Sequence, residues 1–229
     1  MTREYRQARF ALPPGATALL LVRHGESRPA RPEDPFPLVD GQGDPELHDA
    51  GHAQALRVAE RLHEHPIRAV YVSKLRRTGE TAAPLCERLR LDARLDPDLH
   101  EVHLGEWEGG LFRQKVAEQD PVYLRMQAEE RWDVIPGGEP PDALTERLGR
   151  AVRRIAEAHR DELVAAFVHG GVIAHLLHMA TGSRPFAFTG AENGSISHLV
   201  VVEDRLLLRR FNDTSHLSPF VSAAAGAMT

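Results

Sequence analysis

Two short apolar runs, Ala18-Leu19-Leu20-Leu21-Val22 and Leu163 to Val168, each lead straight into a histidine-glycine pair, Arg23-His24-Gly25 and His169-Gly170. A brief run that is apolar on both faces reads as a strand buried inside a parallel sheet. In open α/β sheets, ligands bind in the crevice outside the carboxyl ends of the strands. Two histidines at such ends can therefore meet in space, however far apart they lie in the chain. A neutral imidazole there can act as a nucleophile, and arginines can hold an anion against it. The pairing points to phosphoryl transfer through a phosphohistidine.

The rest of the chain supplies the alternation that such a sheet needs. Helical spacing of Ala55, Val58, Ala59 and Leu62 predicts a helix over 49–65, followed by a strand at 67–72 and a helix at 74–90. Pro84 is expected to kink that helix or to mark its boundary. Further helices are expected over 142–160 and 171–181, and a hairpin over 195–202 and 205–211 turning at Glu203-Asp204. The stretch 111–131 has helical character but interrupts the rhythm, so a small helical cap is expected at about 111–135. Residues 28–45 carry Pro29, Pro32, Pro35, Pro37 and Pro45 and read as a long loop. Strands alternating with helices imply an α/β fold, a three-layer α/β/α sandwich with a mainly parallel sheet. One domain at 18–217 is expected, after an extension at 1–17 and before an Ala/Gly/Ser-rich flexible tail at 218–229.

Composition excludes several classes. At 229 residues the chain suits one well-buried domain. A formal net charge of −5 offers no overall basic field to nucleic acid or an anionic membrane. No segment reaches the length of a transmembrane helix, and the polar first ten residues lack the apolar core of a signal peptide. One cysteine, Cys86, excludes an intrachain disulfide framework and fits a reducing compartment. A cytoplasmic location is the expectation.

Three more elements strengthen the histidine pair. Ser73-Lys74-Leu75-Arg76-Arg77-Thr78 follows a strand, so an arginine in the next helix's first turn can reach the crevice and grip a phosphoryl group with two parallel hydrogen bonds. Leu99 to Gly109 places Glu101 and other acids in a loop that can protonate a leaving alkoxide. His169-Gly170-Gly171 opens a helix whose free N–H groups suit an anion.

Arg23-His24-Gly25, Gly51-His52-Ala53-Gln54-Ala55, Ser73 to Ala82, Leu99 to Gly109 and His169-Gly170 follow one another in the order found in the histidine phosphatase (phosphoglycerate mutase-like) superfamily, which the chain resembles over about 18–217. Pro136-Gly137-Gly138-Glu139, Asn193-Gly194-Ser195 and Asn212 to Leu217 extend the match. The resemblance implies that His24 is the nucleophile and Glu101 the proton donor. Arg23, Arg77 and His169 would form the phosphate pocket, with Gly170 and Ser27 as further phosphate contacts. Water would then hydrolyse the phosphohistidine, with no cofactor and no metal required. The implied activity is that of a phosphomonoesterase on a small phosphorylated metabolite, in the broad-specificity branch. The alternatives are a cofactor-dependent phosphoglycerate mutase and a non-catalytic phospho-ligand-binding member. The comparatively short stretch from Glu101 to His169 favours the phosphatase, and retention of all five site residues speaks against a binding-only role. A homodimer is a further expectation, since similar proteins are often dimeric.

Departures from the family pattern fall beside the pocket. Ala30 replaces a frequent asparagine, Lys74 a proline and Thr78 an alanine. The pairs His48/His52 and His100/His103 have spacings that would suit a metal, but no accompanying zinc-site pattern, and read as solvated or supporting histidines.

Overall fold

The computed structural model describes residues 5–217. Its centre is a six-stranded sheet built from β1 (Thr17–Arg23), β4 (Ile67–Val72), β5 (Ala93–Leu95), β6 (Leu163–Val168), β7 (Ile196–Val202) and β8 (Arg205–Asp213). A separate two-stranded hairpin joins β2 (Leu38–Val39) to β3 (Gln42–Gly43). The main sheet runs in the order β5-β4-β6-β1-β7-β8. The first four strands are mutually parallel, and β7 and β8 add an antiparallel edge. The fold is the mainly parallel α/β sandwich that the strand–helix alternation implied.

Both faces of the sheet are covered. Val164, Ala166 and Val168 of β6 point to one side, with Leu19, Leu21 and Tyr71. They meet α5 (Pro141–Ala158) through Leu144, Leu148, Ala151, Val152 and Ile155, and α6 (Gly170–Thr181) through Val172, Ile173, Leu176 and Leu177. Ala165 and Phe167 point to the other side, with Val22, Val70 and Val72. There they meet Val58, Ala59 and Leu62 of α1 (Asp49–Leu62) and Ala82 and Leu85 of α2 (Arg76–Leu89). The period-2 split within β6 explains why its run is apolar throughout: each alternate residue serves a different core.

A third, smaller cluster stands apart. Trp107, Met126, Val134 and Ile135 pack with Leu111, Phe112, Tyr123 and Trp132 across α3 (Leu111–Ala117) and α4 (Pro121–Glu129). The helical stretch at 111–131 is thus two short helices, broken where Gln119 takes a positive φ and Asp120 caps the second with Pro121 in its first turn.

Other boundaries also differ from the sequence expectation. Pro84 lies inside α2 and is not its end. β5 was not anticipated, because its three residues are all exposed at the sheet edge and carry no alternation. Part of the proline-rich stretch is ordered by the β2–β3 hairpin and by an Arg31–Asp34 bridge. The tail at 218–229 lies outside the described residues.

Candidate active site

Register delivers the site. Val22 pairs with Phe167 and Arg23 with Val168, while Val72 pairs with Phe167 from the other side. His24, His169 and Ser73 therefore leave the sheet side by side at the carboxyl ends of β1, β6 and β4. The His24 N–H donates to the Val168 carbonyl at 3.0 Å.

The loop after His24 is held by close backbone approach. A Cβ on Gly25 would lie 2.5 Å from the Gly51 carbonyl oxygen, and one on Gly51 would lie 2.0 Å from that of Glu26. Only glycines allow that approach. Gln54 then accepts the Glu26 N–H at 2.8 Å, so the glycine and glutamine of the Gly51–Ala55 motif jointly fix the loop. Asn193 donates its amide to the His24 carbonyl at 3.0 Å.

The hydrogen bonds of His24 specify its protonation. Its Nδ1 lies 2.7 Å from the Gly25 carbonyl, which only accepts, so Nδ1 carries the proton. Its Nε2 receives the Arg77 Nε–H at 3.2 Å, and a guanidinium only donates. The ring is therefore neutral, with the Nε2 lone pair on the side of Arg77. Burial pushes the His24 pKa well below its usual value, and the Arg77 and Arg23 charges push it further.

Arg77 is nearly buried and also donates to the Gly43 carbonyl of β3 at 2.9 Å. Burial lowers its pKa to about 10. Arg23 donates to the Ala191 carbonyl, and its Nε is buried without a hydrogen-bond partner. Burial lowers its pKa too, against the opposing pull of Glu101 and Glu192.

Glu101 faces the start of α6. Its carboxylate accepts the Val102 N–H at 2.9 Å and the Gly171 N–H at 3.3 Å. A Cβ on Gly171 would lie 2.7 Å from Glu101 Oε1, so this glycine lets the carboxylate dock. Burial raises the Glu101 pKa, opposed by those N–H groups and by Arg77 and Arg23. Behind it, buried Arg147 pairs with Glu139 at 2.7 Å and donates to the carbonyls of Asp98, His100 and Glu101.

His169 is fully buried behind His24, with ring centroids 5.2 Å apart. Its Nε2 meets Ser73 Oγ at 2.8 Å, and its Nδ1 has no hydrogen-bond partner. Burial first, then Arg77 and His24, hold its pKa well below the usual range.

A cavity of about 600 Å³ opens over Arg23, His24, Arg77 and Glu101. Ser27 lines it, whereas His169 and Gly170 lie behind its surface. Sequence reasoning passed over two of its lining groups. Arg113 of α3 donates to Ser27 Oγ at 2.7 Å and to the Arg28 carbonyl at 2.9 Å, and its charge is among those depressing His24. Gln42 of β3 donates to the Glu101 carbonyl at 2.7 Å. Nothing in the sequence separates Arg113 from the other arginines of its segment. Gln42 stands in a loop whose hairpin was not foreseen. Among the described residues, no cluster of three or more His, Cys, Asp or Glu side chains could hold a metal ion. His100 and His103 instead serve the loop, His100 against the Glu101 carbonyl and His103 as acceptor of the Gly105 N–H.

A buried neutral histidine under two guanidiniums, beside a carboxyl group at a helix start, defines a class of phosphoryl-handling site on an α/β sheet. The histidine phosphatase superfamily (branch 1) profile matches residues 19–214. The chain is 36% identical over 206 residues to phosphoglycerate mutase-like protein 4 of Arabidopsis thaliana, covering 87% of this chain and 86% of that one. It is 32% identical to the metal-independent phosphoserine phosphatase of the same plant, covering 88% and 84% respectively. The solved structure of mycobacterial glucosyl-3-phosphoglycerate phosphatase superposes with a TM-score of 0.71 at 27% identity, over 87% of this chain and 100% of that one. The chain belongs to the histidine phosphatase superfamily.

Proposed function

We propose that this protein is a metal-independent phosphomonoesterase, acting on a small phosphorylated substrate through a phosphohistidine on His24. The observation that carries the reading is the state of His24: a neutral ring, its Nδ1 proton held by Gly25 and its Nε2 lone pair on the cavity side with Arg77. Relatives named as phosphatases support the same activity.

The geometry supports the following steps. Nε2 attacks phosphorus while Arg23 and Arg77 neutralise the phosphoryl oxygens, since phosphoryl transfer is mostly positioning and charge compensation. The ester P–O bond breaks, and the leaving alkoxide takes a proton from Glu101, whose raised pKa keeps it protonated to higher pH than an ordinary carboxyl. Water then attacks the phosphorus, its proton passes to the Glu101 carboxylate, and the N–P bond breaks to restore neutral His24. His169, bonded to Ser73, packs behind the nucleophile and steadies its ring. The single cysteine supports a cytoplasmic location as part of the same proposal.

The test is phosphate release, in chelator, from a panel of phosphomonoesters, wild type beside His24→Ala. Release by wild type alone is expected. Interconversion of 2- and 3-phosphoglycerate without net release would replace the phosphatase with a mutase, and neither activity would leave a phospho-ligand-binding protein.

A further inference from the structure

The phosphoryl end accounts for only part of the cavity. A volume of about 600 Å³ falls in the range of roughly 300–1,000 Å³ that holds drug-sized ligands. Beyond Arg23, His24 and Arg77, the walls are largely apolar: Phe36, Leu75, Leu104, Trp107, Phe112 and Trp132. Three of the aromatics form a connected surface. Trp107 and Phe112 lie 6.2 Å apart between ring centroids, and Phe112 and Trp132 lie 6.1 Å apart. Phe112 and Trp132 keep part of their surface exposed.

Among the described residues that line the cavity, Arg113 is the one arginine or lysine beyond Arg23 and Arg77. Its guanidinium donates to Ser27 Oγ and to the Arg28 carbonyl and stacks over Phe36 at 5.2 Å. Arg28 pairs with Asp34 and Glu46. Two carboxylates, Glu26 and Glu108, also line the cavity. A carboxylate on the substrate's alcohol moiety would have Arg113 alone to meet among aromatic faces and like charge, whereas a flat ring would bury apolar surface on both partners.

Resting on the phosphatase reading, we propose that the preferred substrate is a phosphomonoester whose alcohol moiety carries an aromatic or heteroaromatic ring, stacked against Phe112 and Trp132. This specificity differs from that named for the phosphoserine and glucosyl-3-phosphoglycerate phosphatases among the relatives.

The experiment compares kcat/KM for alkyl esters, so that leaving groups stay similar: 2-naphthylmethyl phosphate, ethyl phosphate, O-phosphoserine and 3-phosphoglycerate. A single methylene in an apolar pocket is worth about 10- to 200-fold, so the naphthylmethyl ester is expected to exceed ethyl phosphate by about a hundred-fold. Phe112→Ala and Trp132→Ala are each expected to shrink that ratio by about tenfold. A merely structural role would lower both substrates together and leave the ratio in place, whatever fraction of the variant is folded. A second readout is independent of turnover. Both of the chain's two tryptophans line the cavity, so 2-naphthylmethyl phosphonate, which cannot be hydrolysed, is expected to change their fluorescence on binding.

Faster turnover of phosphoserine or phosphoglycerate would overturn the ring proposal and leave the phosphatase intact. Phosphonate binding with no release from any ester would sink the phosphatase and keep the ring site. Neither signal would remove both.

Discussion

Arg77→Met separates function from stability in one residue. The guanidinium is buried, and burial lowers its pKa to about 10. At 1.36 kcal/mol per pKa unit, keeping it charged costs the fold about 3 kcal/mol at neutral pH. That penalty is full below pH 10 and fades as pH rises through the folded value. Methionine removes it but leaves the Gly43 carbonyl without its 2.9 Å donor, a loss of about 1–3 kcal/mol. The two nearly cancel, so Tm should stay within about 8 °C of wild type, at roughly 2–4 °C per kcal/mol for a chain of this size. Activity should not survive. Losing one preorganised donor to the transition state costs about a hundred- to a thousand-fold in kcat, and Arg77 also helps hold His24 neutral. Without it the His24 pKa rises, so the acid limb of kcat/KM should move to higher pH. The assay is phosphate release against pH beside thermal melting. Activity within tenfold of wild type would refute the reasoning, and so would a loss explained by a much larger fall in Tm.

Three further outcomes follow from the same geometry. In wild type, kcat/KM for ethyl phosphate relative to an aryl phosphate should fall as pH rises through the raised pKa of Glu101, because only the poorer leaving group needs its proton; in Glu101→Gln the ratio should be low and flat, and an unchanged profile would remove Glu101 as donor. Arg147→Met should destabilise by about 3–5 kcal/mol in chemical denaturation, because Glu139 is left as an unpaired buried charge. Burial pushes the Glu139 pKa up, but Arg147, with help from the His103 N–H and His100, brings it below its usual value, so its contribution is present above the unfolded pKa and lost as pH falls through the folded one. Wild type should therefore lose stability on acidification more steeply than Arg147→Met. Gly51→Ala should impair both folding and activity, since its Cβ would meet backbone at 2.0 Å and drive Glu26 and the His24 loop apart; wild-type kcat/KM in this variant would contradict that tight approach.

What could be read before the fold was known followed from period and position. The apolar runs of β1 and β6 gave two central strands, because both faces of each are buried. His24 and His169 could be paired in space because both terminate parallel neighbours. The depth of His169 could not be read, since burial behind the cavity depends on Ser73 and the His24 ring. Arg113 was silent for a different reason. Its segment forms the small Trp107–Ile135 cluster, whose contacts to residues 27–36 are tertiary and leave no local pattern. The edge strand β5 and the β2–β3 hairpin are held by backbone pairing over two or three residues, too few for any alternation to show.

The central claim is that His24 carries the phosphoryl group between the two half-reactions. Rapid quench of wild type with an excess of a ³²P-labelled ester, followed by digestion and peptide mapping, tests it directly. One acid-labile, base-stable label on the peptide holding His24, absent from His24→Ala and discharged by water at a rate no slower than turnover, is the predicted result. Turnover with no label, or with label on any other residue, would contradict it.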